Sequence, residues 1–153
     1  MTALQERNAQ FYDPLIVRQL GRDRWVLHSD IAYYSKVAKR SFFIPKGTEF
    51  DGASVPRIPF AFWFTGGRAF AAALIHDFLY RSKSWLDRKL ADDIFLEAMG
   101  ITDASLGYEA EPNWACNMMY NGVRAFGEEV WKNYGKPADP VVPAEPRGAG
   151  EQP

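Results

Sequence analysis

Of the two histidines in this chain, His76 is followed directly by Asp77 and, four residues on, by Tyr80. Positions four apart share a helix face, so His76 and Tyr80 stack on one side. Asp77 points about a quarter-turn away, where it meets Arg81 as an (i, i+4) surface ion pair. A second acidic pair follows in Leu90-Ala91-Asp92-Asp93-Ile94-Phe95. If its helix packs antiparallel to the first, Asp92 or Asp93 approaches the His76 ring. Helical phase relative to Phe95 and Met99 puts Asp92 on the buried side. A carboxylate there fixes the imidazole tautomer and stabilises its charged form, leaving the second ring nitrogen to take a proton from water. Tyr80 can donate to the same carboxylate. Asp77 and carbonyls of the Asp51–Arg57 loop offer oxygen ligands to a hard cation such as calcium or magnesium. The plainer reading is a core histidine satisfied by its neighbours, because burying such groups is costly unless they pair.

Other constellations carry less. Ser54 invites a serine nucleophile with His76 and Asp92 behind it, but no Gly-x-Ser-x-Gly elbow surrounds it. It fits better as a brace for the turn into Pro56. A metal-dependent phosphohydrolase of the His…His-Asp…Asp type needs another helical histidine, and His28 falls in an expected strand. Gly66-Gly67 precedes a helix without the glycine pattern and lysine that cradle phosphate. The segment Ile58-Pro59-Phe60-Ala61-Phe62-Trp63-Phe64 either closes the core or, if exposed, enters a membrane interface or grips a partner.

These residues have to be held by a fold, and the pattern along the chain supplies one. Leu15–Leu20 and Arg24–His28 flank Gly21-Arg22-Asp23 and read as a hairpin. Ile31–Lys36 and Ser41–Pro45 add two short strands, after which Phe50–Arg57 reads as a loop. The spacing then predicts helices over Arg68–Ser82, over Leu86–Met99 with a cap near Ser84 and a stop at Gly100, and over roughly Trp114–Tyr134. Met119, Val123, Phe126 and Val130 form the last helix's expected core stripe. The expected fold class is α+β, a small antiparallel sheet followed by three helices, in one domain over residues 1–135. Residues 136–153, rich in Pro and Gly, read as a flexible tail that drapes on a partner.

Composition narrows the classes. A hydrophobic share of 47% against 24% charged is globular, which excludes wholesale disorder. Aromatics at 15% are enough for packed aromatic layers or a sticky face. A formal net charge of −1 gives no overall bias toward nucleic acid, and none is expected as a partner. One cysteine, Cys116, excludes an intramolecular disulfide and a Cys-rich zinc site. The first residues lack the basic and apolar regions of a secretory signal, so synthesis in a cytoplasm is expected.

The order His76-Asp77-x-x-Tyr80, a turn, then Ala91-Asp92-x-x-Phe95 resembles the helical core of phospholipase A2 enzymes, closest to the disulfide-poor form in some viral capsid proteins. That resemblance implies His76 as general base, Asp92 as its orienting partner, Asp77 as calcium ligand and Tyr80 as hydrogen-bonding support. The cation would stabilise the oxyanion at an ester carbonyl. The family's glycine-rich calcium loop has no counterpart here, and Phe50-Asp51-Gly52-Ala53-Ser54 would stand in its place.

A second likeness spans Leu15 to Gly127. Ile44-Pro45-Lys46-Gly47, Asp51-x-Ala53-Ser54-Val55-Pro56-Arg57, Ala73-x-x-His76-Asp77-x-Leu79-Tyr80 and Ala91-Asp92-x-x-Phe95 look like a small uncharacterised family of tailed phages and prophages. It implies a phage-encoded protein made in the bacterial host cytoplasm, with other virion proteins as partners. It also groups Asp51, Ser54 and Arg57 as a binding loop facing His76 and Asp77. Two functions follow as expectations. One is a virion-associated structural or interaction protein, a tail or capsid accessory; the other is a calcium-dependent, phospholipase A2-like ester hydrolase that would work at a lipid interface.

Overall fold

Short aromatic and β-branched runs in the first fifty or so residues pair into strands, two of the pairings between non-consecutive runs, and among the described residues every pairing is antiparallel. The computed structural model of the protein describes residues 7–21, 24–51, 69–82 and 86–134. The strands are β1 (Gln10–Phe11), β2 (Val17–Gly21), β3 (Arg24–Leu27), β4 (Ile31–Ser35), β5 (Arg40–Ile44) and β6 (Glu49–Asp51). The helices are α1 (Phe70–Ser82), α2 (Arg88–Met99) and α3 (Asn113–Asn133). The α+β class and the order of sheet then three helices hold. The sheet is divided in two: β1-β4-β5 and β2-β3-β6 form separate three-stranded sheets.

The division follows from where the apolar residues fall. In β4, Ile31 pairs with Ile44 and Tyr33 with Phe42 of β5, and all four side chains are buried. Strand β2 is largely exposed, so its sheet depends on β3 and β6. The strand β6 occupies residues expected to be loop. Glu and Asp are poor strand formers, but pairing with β3 and a Trp25–Phe50 stack hold them in register. Phe70, at the start of α1, meets both of those rings edge-on. An aromatic cluster therefore ties the second sheet to the first helix.

Helix α2 starts later than the sequence suggests. Its cap is Asp87, whose Oδ1 accepts from the Leu90 amide at 2.8 Å, and the expected cap, Ser84, lies outside the described residues. Asp and Ser serve equally well as caps, so composition alone does not choose between them. The helix ends at Gly100 as expected. Along α3, Met119 and Val123 are buried and Val130 packs against the core, but Phe126 faces solvent. Seven residues after Met119, Phe126 lies only about 20° from it round the helix, so it is in phase with the stripe and is exposed because the described elements packed on α3 do not extend over that position.

Tyr33 of β4 donates to Glu97 of α2 at 2.9 Å, and Tyr108, after α2, donates to the Asp13 carbonyl at 2.7 Å. These bonds fasten the first sheet against the helices. Among the described residues no helix is long and apolar enough to cross a membrane. Ser54, Arg57, the Ile58–Phe64 segment, Gly66-Gly67 and residues 136–153 lie outside the described residues, so the loop, lip and tail expectations attached to them do too.

Candidate functional site

Three alanines, Ala71, Ala72 and Ala73, open α1 and keep its first turns slim where it enters the core. Beyond them His76 and Tyr80 share a face, with ring centroids 4.1 Å apart. Phe95 of α2 lies against the imidazole at 4.7 Å. The residue opposite is Asp92: its Oδ1 lies 2.6 Å from His76 Nε2 and accepts from the Tyr80 hydroxyl at 2.6 Å. Asp93 turns the other way, toward Tyr120 and Lys89. An ionised carboxylate only accepts, so Nε2 carries the proton in this bond. The structure thus brings His76, Tyr80 and Asp92 together.

Two further groups meet the same carboxylate from α3 and α2. Arg124 donates from Nη1 to Asp92 Oδ2 at 2.7 Å, and Arg88 stands 3.5 Å from that oxygen while bonding the Val123 carbonyl at 3.0 Å. Burial on its own pushes the Asp92 carboxyl up. The hydrogen bonds from His76, Tyr80 and Arg124 outweigh it and hold the group below the usual carboxylate range. For Tyr80 burial and the same carboxylate act together, raising its hydroxyl well above the ordinary tyrosine value.

Gly127 of α3 completes the arrangement. A Cβ at that position would stand 2.7 Å from the Tyr80 hydroxyl, so only glycine lets α3 pass this close. Trp131, one turn on, meets the Tyr80 ring edge-on. Arg88, Arg124 and Gly127 were not among the expected site residues. Arg88 stands four residues before Asp92 and had a local signal. Arg124 and Gly127 come from more than thirty residues away and had none.

Asp77 is not the surface residue that its spacing to Arg81 suggested, being only 5% exposed. The reason lies just past α3, where Tyr134 donates to Oδ1 at 2.9 Å, while Arg81 holds Oδ2 at 3.0 Å. Arg81 also reaches the Glu49 carbonyl of β6 at 3.2 Å and lies over the Tyr134 ring. The backbone of Asp51 pairs with Arg24, placing the start of the Asp51–Arg57 loop near Arg81. A calcium ion takes six to eight oxygens. Here the Asp77 carboxylate already has a guanidinium and a hydroxyl on it, and a cation would have to displace the guanidinium. Among the described residues no group of three or more His, Cys, Asp and Glu is placed to hold a metal ion. The described surroundings of Asp77 therefore do not fit calcium.

A family model described as a protein of unknown function (DUF1353) matches residues 25–123, well over half of the chain. The match includes every residue of the His76–Asp92 pair and its Tyr80 support. No curated protein and no solved structure matches the chain.

Proposed function

This chain belongs to the DUF1353 family, an uncharacterised family associated with phages and prophages, and on that premise we propose a structural or interaction protein of the phage. In this reading it is a virion-associated tail or capsid accessory, and the His76–Tyr80–Asp92 network locks helices together. Burial carries the reading: His76 is 1% exposed and Asp92 0%. A general base has to reach water and the reacting carbonyl. Here both Asp92 oxygens are taken by donors from three helices, the pattern of a satisfied network that specifies packing.

His76→Ala tests it. Loss of the ring leaves a buried carboxylate oxygen short of a donor, and the expected cost is about 1–3 kcal/mol in urea denaturation. The wild type is expected to release no fatty acid from phosphatidylcholine vesicles, with or without calcium, and to be found by mass spectrometry in gradient-purified particles. Hydrolysis that His76→Ala abolishes while stability stays unchanged would overturn the architectural role. Absence from purified particles would overturn the virion placement.

One observation favours a second reading, a small ester hydrolase. His76 Nε2 is anchored by Asp92, which fixes the ring tautomer and orientation as a water-activating imidazole requires. Calorimetric titration with calcium separates the two. The first reading expects a flat isotherm for the wild type and for Asp77→Asn, whereas the calcium-dependent enzyme requires binding that Asp77→Asn removes.

A further inference from the structure

The formal net charge of −1 is unevenly spread along the chain. From Asp87 to Lys132 nine acids stand against four cations. From Ser29 to Thr48 the balance reverses: Lys36, Lys39, Arg40 and Lys46 stand against Asp30 alone. That stretch is the β4–β5 hairpin, and Asp30 is engaged there, its Oδ1 accepting from the Lys46 amide at 2.6 Å. Lys36 and Lys39 are exposed at the turn, and Lys46 is exposed past the far end of β5. Lys39 and Lys46 are about 23 Å apart at 3.3 Å per residue. The turn itself is firmly built. Glu97 accepts from the Val37 amide at 2.9 Å and Ser35 Oγ from the Ala38 amide at 3.0 Å. Lys39 takes a φ of 53°, in the left-handed region that favours glycine. A lysine kept there fixes where its side chain leaves the backbone, at a cost in strain.

Between those two ends the sheet turns an aromatic face away from the core. Side chains alternate along a strand, and residues paired directly across strands share a face. Tyr33, Phe42 and Ile44 are buried in the core, so Ala32, Tyr34, Ser41 and Phe43 point outward. Strand β1 adds Gln10, which pairs with Tyr34, and next to it Tyr12, whose amide donates to the Ala32 carbonyl at 3.0 Å. Tyr12, Tyr34 and Phe43 are partly exposed, and none of them joins the described apolar core. The Arg7 guanidinium lies over the Tyr34 ring at 4.6 Å and the Tyr12 ring at 5.2 Å, which joins the two into one surface. Tyr12 and Phe43 stand two strand spacings apart, about 10 Å, with only the small Ala32 between them. A planar ring can enter there and lie against either wall.

We propose that this outer face binds single-stranded nucleic acid, with bases on Tyr12, Tyr34 and Phe43 and phosphates on Arg7, Lys36, Lys39 and Lys46. Such a platform takes any base, because every base has a π face, and cations at its rim follow the backbone. A guanidinium stacked on tyrosine uses its face and keeps N–H groups at its edge for a phosphate. Charge selects this ligand over an uncharged saccharide, which would use the rings and leave the cations idle. A duplex does not fit, since its bases are already stacked on one another and paired.

Fluorescence anisotropy of a labelled oligothymidylate with the full chain tests this. Binding is expected at low salt and should weaken as salt rises. Tyr34→Ala with Phe43→Ala should weaken it by about fivefold or more, the contribution of even one base–aromatic stack. Tyr34→Phe keeps the ring and should bind as the wild type does. Lys39→Gln with Lys46→Gln changes exposed side chains only and tests the site independently of the rings. It should make the slope of log affinity against log salt shallower by about 1.4. No binding at low salt, or equal affinity for a duplex of the same length, would overturn the proposal. So would wild-type affinity in the alanine variant or an unchanged slope in the glutamine variant. Heparin competing as well as the oligonucleotide would assign the face to polyanions at large and overturn the base stacking.

Discussion

At the scale of single residues, Asp92 is the group on which the interior turns. It receives His76, Tyr80 and Arg124 together, so its charge is balanced and its oxygens filled. Asp92→Asn keeps the size but cannot accept from all of them, and it leaves the arginines facing an amide. Removing one partner of a buried pair costs 3–5 kcal/mol; because Arg124 is a third exposed and can turn to water, about 3 kcal/mol is expected at neutral pH. The sign with pH follows from the lowered carboxyl. A group depressed in the folded state contributes stability that is full above its ordinary value, 3.8, and is lost as pH falls below that toward the folded value. Urea midpoints measured from pH 7 downward should therefore show the wild type losing its advantage over Asp92→Asn only in that acid window. A constant difference down to the most acid pH would show that Asp92 is not held charged. The His76–Asp92 meeting was legible because helical phase selects Asp92 over Asp93. The arginine from α3 was not, since nothing local links position 92 to position 124.

At the scale of elements, α1 and α3 meet closely at one point, Gly127 against Tyr80. Glycine inside a helix ordinarily costs about 1 kcal/mol relative to alanine, so Gly→Ala in α3 would normally stabilise. At Gly127 the sign should reverse. The new methyl would meet the Tyr80 hydroxyl at 2.7 Å and Arg88 Nη1 at 3.3 Å. The Tyr80 ring cannot retreat, because His76 and Trp131 pack on it and Asp92 holds its hydroxyl. Overpacking of that kind costs about 1–3 kcal/mol. A thermal melt in which Gly127→Ala equals or exceeds the wild type would mean that α3 is free to shift outward. Elements were legible where a period ran for several turns, as in α1 and α2. They were not where pairing partners decide, as in β6, or where two equally good caps lie three residues apart, as at Ser84 and Asp87. Phe126 shows the limit of stripes: a residue in phase with the buried arc is still exposed where the described elements do not pack over it.

At the scale of the whole molecule, sheets and helices are joined by few but well-placed bonds. Glu97 of α2 accepts from the Tyr33 hydroxyl through one oxygen and from the Val37 amide through the other, each at 2.9 Å. Tyr33 is fully buried, and burial together with Glu97 drives its hydroxyl far above the ordinary tyrosine value, so it stays a donor throughout the accessible pH range. Phe11 stacks on Tyr108 at 4.1 Å and tilts against Tyr33, extending the joint to the chain between α2 and α3. Such a joint predicts one cooperative unit over the described residues. Unfolding followed by near-ultraviolet and far-ultraviolet dichroism should give coincident transitions, since the aromatic joint and the helices are lost together. Glu97→Ala leaves the Tyr33 hydroxyl buried without its acceptor and should cost about 1–3 kcal/mol. Tyr33→Phe removes the hydroxyl, so in the double variant the two losses should fall short of their sum by about 0.5 kcal/mol or more. Strict additivity would mean that the sheet and helices are held by apolar packing alone. Two separated transitions would mean that they are independent units resting on one another.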